Sequence, residues 1–178
     1  MTENEMIIHP PVAGSELDTL VGCLERNRLT FAWKCGGLDA AGLNTRVASS
    51  TITLGGLLKH MALVEDDMFS QRLTGAGPAE PWAGVDFDAD PDWEWRTAAD
   101  DSPEELMALW ERSVDLSRAN VRAAGDPEHV AAYVSGAGES PYLRLLLVDM
   151  IEEYARHTGH ADLIRESVDG LVGEGRPQ

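Results

Sequence analysis

Positive charge is scarce in this chain. Lys and Arg total 14 against 31 Asp and Glu, for a formal net charge of −17, and no basic cluster interrupts the deficit. Phosphate backbones and anionic membrane surfaces repel such a surface, so neither nucleic acid nor a membrane is an expected partner. Long apolar runs are missing too. None approaches the roughly 20 residues that span a bilayer, and the opening Met1-Thr-Glu-Asn-Glu lacks the basic then apolar layout of a secretion signal. A cytoplasmic protein is expected. Cysteine is limited to Cys23 and Cys35 without CxxC spacing, which argues against a disulfide framework and leaves both as small buried residues rather than nucleophiles. No Gly-rich phosphate loop, nucleophile elbow or Ser/His/Asp grouping is present.

What is present suits one packed domain over residues 1–178. A chain of 178 residues with 43% hydrophobic and 25% charged residues has the composition of an ordinary globular protein and room for a single full core. Leu17, Leu20, Val21, Leu24 and Phe31 recur at helical spacing from about Ser15 until Gly36-Gly37, which predicts a first helix. Residues 38–52 read as a connection. Thr53 is a plausible N-cap for a second helix over Leu54 to Leu73, with Leu57, Met61, Val64 and Met68 on its apolar face and Gly75 beyond it.

Ser102-Pro-Glu-Glu is a capping-box pattern with proline at the first helical position, and the apolar period runs on through Leu106, Trp110, Val114 and Val121 to Gly125. A fourth helix is expected from near Ser140-Pro141 to Gly170. Four amphipathic helices without β alternation predict an all-α four-helix bundle, an architecture that holds metals and cofactors between facing helices.

The second and third helices are separated by Gly75 to Asp101, a long acidic loop with Pro78, Pro81, Pro91 and the tryptophans Trp82, Trp93 and Trp95. Loops of this length in compact domains are usually functional or mobile. Its run Asp86-x-Asp88-x-Asp90-x-Asp92 resembles the start of a calcium loop, but Pro91 stands where an EF-hand needs glycine and Thr97 where it needs glutamate. A solvated acidic loop, pinned over the bundle mouth by its tryptophans, is the expectation.

The chemistry sits on the fourth helix. Glu153 and His157 are four residues apart, hence on one face. The steps Leu146, Met150, Glu153, His157, His160 and Ile164 alternate three and four residues, the register of a core-facing seam. Burying a carboxylate without a partner costs several kcal/mol, of order 2 to 7 even for neutral polar groups, so an acid and two imidazoles on an apolar stripe call for compensation. His60 interrupts the apolar face of the second helix in the same way. Two nitrogens and one carboxylate oxygen suit zinc, with nickel or iron as alternatives, and three protein ligands leave coordination positions open.

Taken singly, His60 reads equally as a hydrogen-bonded core histidine and Glu153 as a surface partner of Arg156 or Arg144. His160 is a further ligand, a donor that orients His157, or a contact for the bound substrate or cofactor, with the orienting role favoured. Gly159, inside the helix, suggests close approach by another helix or by substrate. His9 and His129 read as surface residues.

These residues resemble a known family, the DinB-like superfamily of bacterial four-helix bundles, and especially its actinobacterial branch that includes mycothiol-dependent enzymes of the maleylpyruvate isomerase type. The stretch Met150-Ile-Glu-Glu-Tyr-Ala-Arg-His-Thr-Gly-His-Ala-Asp-Leu-Ile-Arg-Glu166 is the most specific part, supported by Trp33-Lys-Cys-Gly-Gly-Leu38 and Leu57-Leu-Lys-His-Met-Ala-Leu-Val-Glu65. The resemblance implies a metal held by a histidine of the second helix and two residues four apart on the fourth, here His60, Glu153 and His157. Many members carry histidine where this chain has Glu153, and an aromatic where it has Met68.

The implied activity is metal-dependent transfer of a thiol of the mycothiol type, or thiol-assisted isomerisation, with a small-molecule thiol and an electrophilic substrate as partners. The implied assembly is a monomer or homodimer. A metal-dependent hydrolase and a non-catalytic, stress-related metal-binding module are the alternatives.

Overall fold

The computed structural model describes residues 9–175, which form six helices and, among the described residues, no strand beyond the isolated antiparallel bridge Val130–Tyr142. The helices are α1 (Glu16–Cys35), α2 (Ala40–Leu43), α3 (Leu54–Glu65), α4 (Trp93–Thr97), α5 (Pro103–Ala124) and α6 (Leu143–Asp169). Among the described residues no helix is long and apolar enough to cross a membrane. Four of them, α1, α3, α5 and α6, supply the expected all-α frame, with α1 packed chiefly on α6 and α3 on α5.

Local chemistry sets the helix ends. The Ser15 hydroxyl accepts from the Asp18 amide at 3.1 Å and Asp18 returns the bond to the Ser15 amide, a reciprocal cap. Ser102 and Glu105 repeat the device at α5, whose Pro103 needs no amide partner, and Gly125 closes that helix at φ +66°. At α3 the Thr53 hydroxyl accepts from the Gly56 amide at 3.0 Å. The start of α6 differs from expectation: it opens at Leu143, and Ser140 caps nothing there. The Leu143 and Arg144 amides instead donate to the carbonyls of His129 (2.8 Å) and Pro127 (3.0 Å), so the preceding loop fills the role of a capping side chain.

The second predicted helix is not uniform. Beyond Glu65 it widens into a π-helical segment, Asp66–Arg72, a form rare in helices and concentrated at functional sites. This segment buries the Asp66 carboxylate, which accepts from Trp82 Nε1 at 3.0 Å, the Ala79 amide at 3.2 Å and Gln71 Nε2 at 2.9 Å. One carboxylate thereby ties the following segment down. That segment is also more ordered than a bare loop, because it carries α4 and a 3-10 turn at Ala98–Asp100. In the aspartate run, Asp86 Oδ1 accepts from the amides of Asp88 and Ala89, and Asp90 pairs with Arg96.

A polar rivet crosses the apolar core. Arg28 of α1 donates to Glu65 of α3 through Nε at 2.8 Å and Nη2 at 2.6 Å, Tyr154 of α6 donates to the same carboxylate at 2.7 Å, and Trp110 of α5 donates to the Tyr154 hydroxyl at 2.9 Å. Arg28 and Glu65 are both buried, and the Arg28 guanidinium lies 5.9 Å from the Phe69 ring centroid. Burial opposes the Arg28 charge, but Glu65 beside it prevails and holds the guanidinium above its ordinary range. Burial and the adjacent Glu65 push the Tyr154 phenol well above its usual value, so it remains a donor. Each long helix contributes one member, which fixes the helices' mutual rotation. With Tyr154 turned to the rivet, its neighbour Glu153 faces the side where α3 presents His60.

Candidate metal centre

His60, Glu153 and His157 come together. One ligand-type atom from each lies within 4.8 Å of the other two, and they form the cluster of this kind among the described residues. Glu153 Oε2 is 3.2 Å from His157 Nε2, as the four-residue spacing on α6 requires. The His60 and His157 rings stand 4.9 Å apart at 65°. Arg144 is engaged elsewhere, with Glu128 at 2.6 Å and Glu16 at 3.6 Å, so it does not neutralise Glu153.

His60 occupies the edge of the buried stripe of α3, beside Leu57 and Met61, and its side chain keeps 19% of its surface exposed. Two residues of α4 cover it. Glu94 Oε1 lies 3.1 Å from Nδ1, and the Trp95 ring stacks on the imidazole at 4.5 Å and 26°. The tryptophans do pin the segment, each differently. Trp82 is buried against Asp66, Trp93 meets the ring of Phe87 edge-on and lies over the Lys59 ammonium, and Trp95 roofs the histidines.

His157 is held down to about 4 by burial first and by the neighbouring His60 and His160. Its imidazole is therefore neutral at physiological pH, the form that binds metals. His160 Nδ1 lies 3.4 Å from His157 Nδ1. The other ring nitrogen of His157, Nε2, is the one that faces Glu153.

The donor set fits a divalent cation. Nδ1 of His60 meets Glu94 and Nδ1 of His157 meets His160, so Nε2 is the nitrogen each would offer a cation. Glu94 Oε2 is buried without a hydrogen-bond partner among the described residues, and a cation held by His60 would compensate that carboxylate through the ring.

A cavity of about 350 Å³ lies beneath the connecting segment, lined by Leu63, Val64, Asp67, Trp82, Val85 and Phe87 among others. Leu63 and Val64 sit one turn beyond His60 on α3. Burial lifts the Asp67 carboxyl above its ordinary range, against the pull of Arg72.

A family model described as mycothiol-S-transferase matches residues 19–170. The chain belongs to the mycothiol-S-transferase family. That span takes in α1 through α6, and so all three clustered residues. No curated protein matches the chain. Membership makes this a protein of mycothiol-related transfer chemistry, with a small-molecule thiol as the partner the family suggests.

One expectation for the mycothiol-S-transferase chain is narrowed. Gly159 is exposed, and a Cβ there would meet nothing within 4 Å, so close approach by another helix does not account for it. His9 and His129 are exposed, as read. Cys35 is buried and Cys23 half-buried, and burial pushes the Cys35 thiol up. Sequence reasoning missed Glu94. Its signal was a lone glutamate between Trp93 and Trp95 in a stretch otherwise rich in aspartate.

Proposed function

We propose that the chain is a metal-dependent mycothiol S-transferase in which His60, Glu153 and His157 hold one divalent ion, zinc in the first instance. The observation that carries the reading is the convergence of these three side chains from α3 and α6. A divalent cation supplies there the positive charge that keeps a thiol ionised and nucleophilic near neutral pH.

The chain's own residues do the rest. His60 and His157 present Nε2, and Glu153 brings the compensating negative charge. Trp95 shields one side of the cluster from water. His160 orients His157 through the contact between their Nδ1 atoms and stands where it can also touch a bound cofactor. The cavity under the connecting segment gives an electrophilic substrate an apolar seat one turn from His60. In the transfer, the thiolate sulfur forms a bond to the electrophilic carbon, whose leaving group departs with its electron pair. The thiol proton is released to solvent. Thiol-assisted isomerisation is the variant in which the sulfur later leaves the same carbon.

The test pairs metal content with turnover. Purified protein is expected to hold about one divalent ion per chain, and to conjugate mycothiol to an alkylating probe such as a haloacetamide. His60→Ala and His157→Ala are expected to lose both properties, and Glu153→Gln to weaken metal binding. Elemental analysis showing full occupancy in both alanine variants would remove this site. Metal-dependent ester or amide cleavage without any thiol would replace transfer by hydrolysis.

A further inference from the structure

The metal assignment leaves unexplained why a buried glutamate and a tryptophan from the connecting segment are both committed to His60. We propose that Glu94 and Trp95 form a clasp that positions His60 as a metal ligand, and that residue 56 is glycine so that the clasp can close. This rests on the metal reading above.

An imidazole offers two nitrogens and turns freely about its last torsion, so a ligand histidine needs both its tautomer and its ring plane fixed. Glu94 fixes the tautomer. Its carboxylate only accepts, so at 3.1 Å from Nδ1 it keeps the proton there and leaves the Nε2 lone pair for the cluster. Trp95 fixes the plane through its stack at 4.5 Å and 26°.

Gly56 stands one turn before His60 on α3. A Cβ at this position would lie 2.9 Å from Trp95 Cε3 and 3.4 Å from Cζ3, so any side chain displaces the tryptophan from its seat. The ends of the clasp are anchored independently. Lys59 of α3 forms an ion pair with Asp101 and lies 4.6 Å from the Trp93 ring centroid, so the residue beside His60 holds both flanks of α4.

The burial of Glu94 makes it more than packing. It is 4% exposed, and its second oxygen has no partner among the described residues. A carboxylate in that state is a poor choice for stability alone. Its charge is used when it strengthens the basicity of the ring it touches, and loss of such partners typically lowers metal affinity about 10- to 100-fold.

The discriminating variant is Glu94→Gln, which keeps the shape and removes the charge. Zinc affinity is measured by competition with a chromophoric chelator for the wild type, Glu94→Gln, Gly56→Ala and His60→Ala, and the metal-free proteins are examined by ¹⁵N NMR of the imidazoles. Glu94→Gln is expected to lose about 10- to 100-fold in affinity at unchanged helicity. Metal-free His60 is expected to carry its proton on Nδ1 in the wild type and to lose that preference in the glutamine variant. Gly56→Ala is expected to weaken zinc binding and shift the His60 ring protons as the Trp95 ring current is lost.

If Glu94→Gln binds zinc like the wild type with the His60 tautomer unchanged, while His60→Ala loses the metal, the clasp is wrong and the site stands. Retention of zinc by His60→Ala would overturn the metal assignment and the clasp with it.

Discussion

Cys23 and Cys35 carry the chain's own thiols, and neither belongs to the histidine cluster. Burial holds the Cys35 thiol above its normal range and hence protonated, the inert form of the group. In the proposed transfer the nucleophilic sulfur is that of the thiol substrate. The double variant Cys23→Ser/Cys35→Ser is expected to retain metal and turnover, provided the hydroxyl at buried position 35 is tolerated. Loss of turnover with metal content and helicity intact would contradict an external nucleophile.

At this scale the sequence was informative about the ligands and silent about their supports. His60, Glu153 and His157 stand out because each breaks an apolar helical register. Glu94 sits in a segment without periodicity, where nothing in the spacing says which acid turns inward. Nothing in the spacing accounts for Gly56 inside the second predicted helix, and a reason appears only when Trp95 is placed against it.

Among the elements, the four long helices follow from their apolar period and their caps, and their bounds match those signals closely except at the end of α3, where a π-helical segment follows Glu65, and at the start of α6, where loop carbonyls replace a capping side chain. The π-helical segment was not legible. Its cause is tertiary, since Asp66 turns inward to take Trp82, Ala79 and Gln71. Nor was the rivet read, although Leu24, Arg28 and Phe31 share one face of α1 and Glu65 continues the stripe of Leu58, Met61 and Ala62 on α3.

The rivet makes a stability prediction. Removing one member of a buried ion pair strands the other charge and typically costs about 3 to 5 kcal/mol, whereas replacing both by apolar side chains of similar volume costs much less. Arg28→Met is expected to destabilise by that order in chemical denaturation, and Arg28→Met/Glu65→Leu to recover a large part of it. Simple addition of the two single effects would show that the pair is not coupled.

For the whole molecule, the fold brings one helix edge of α3 and one of α6 against each other and lays the acidic connection over the seam. The large negative charge leaves recognition to small molecules and cations rather than to polyanions. An exposed cluster of two imidazoles and a carboxylate would be a weak ligand set. Trp95 and Glu94 give it partial cover.

If a cation at this cluster ionises an incoming mycothiol thiol, cobalt(II) in place of the native metal reads that event directly. Titration of the cobalt protein with mycothiol is expected to produce a sulfur-to-metal charge-transfer band, weaker with glutathione and absent in His157→Ala. Its pH midpoint is expected below the ordinary thiol value of about 8.5, because the cation favours the thiolate. A cobalt spectrum unchanged by saturating mycothiol, with the metal bound and the protein folded, would contradict it.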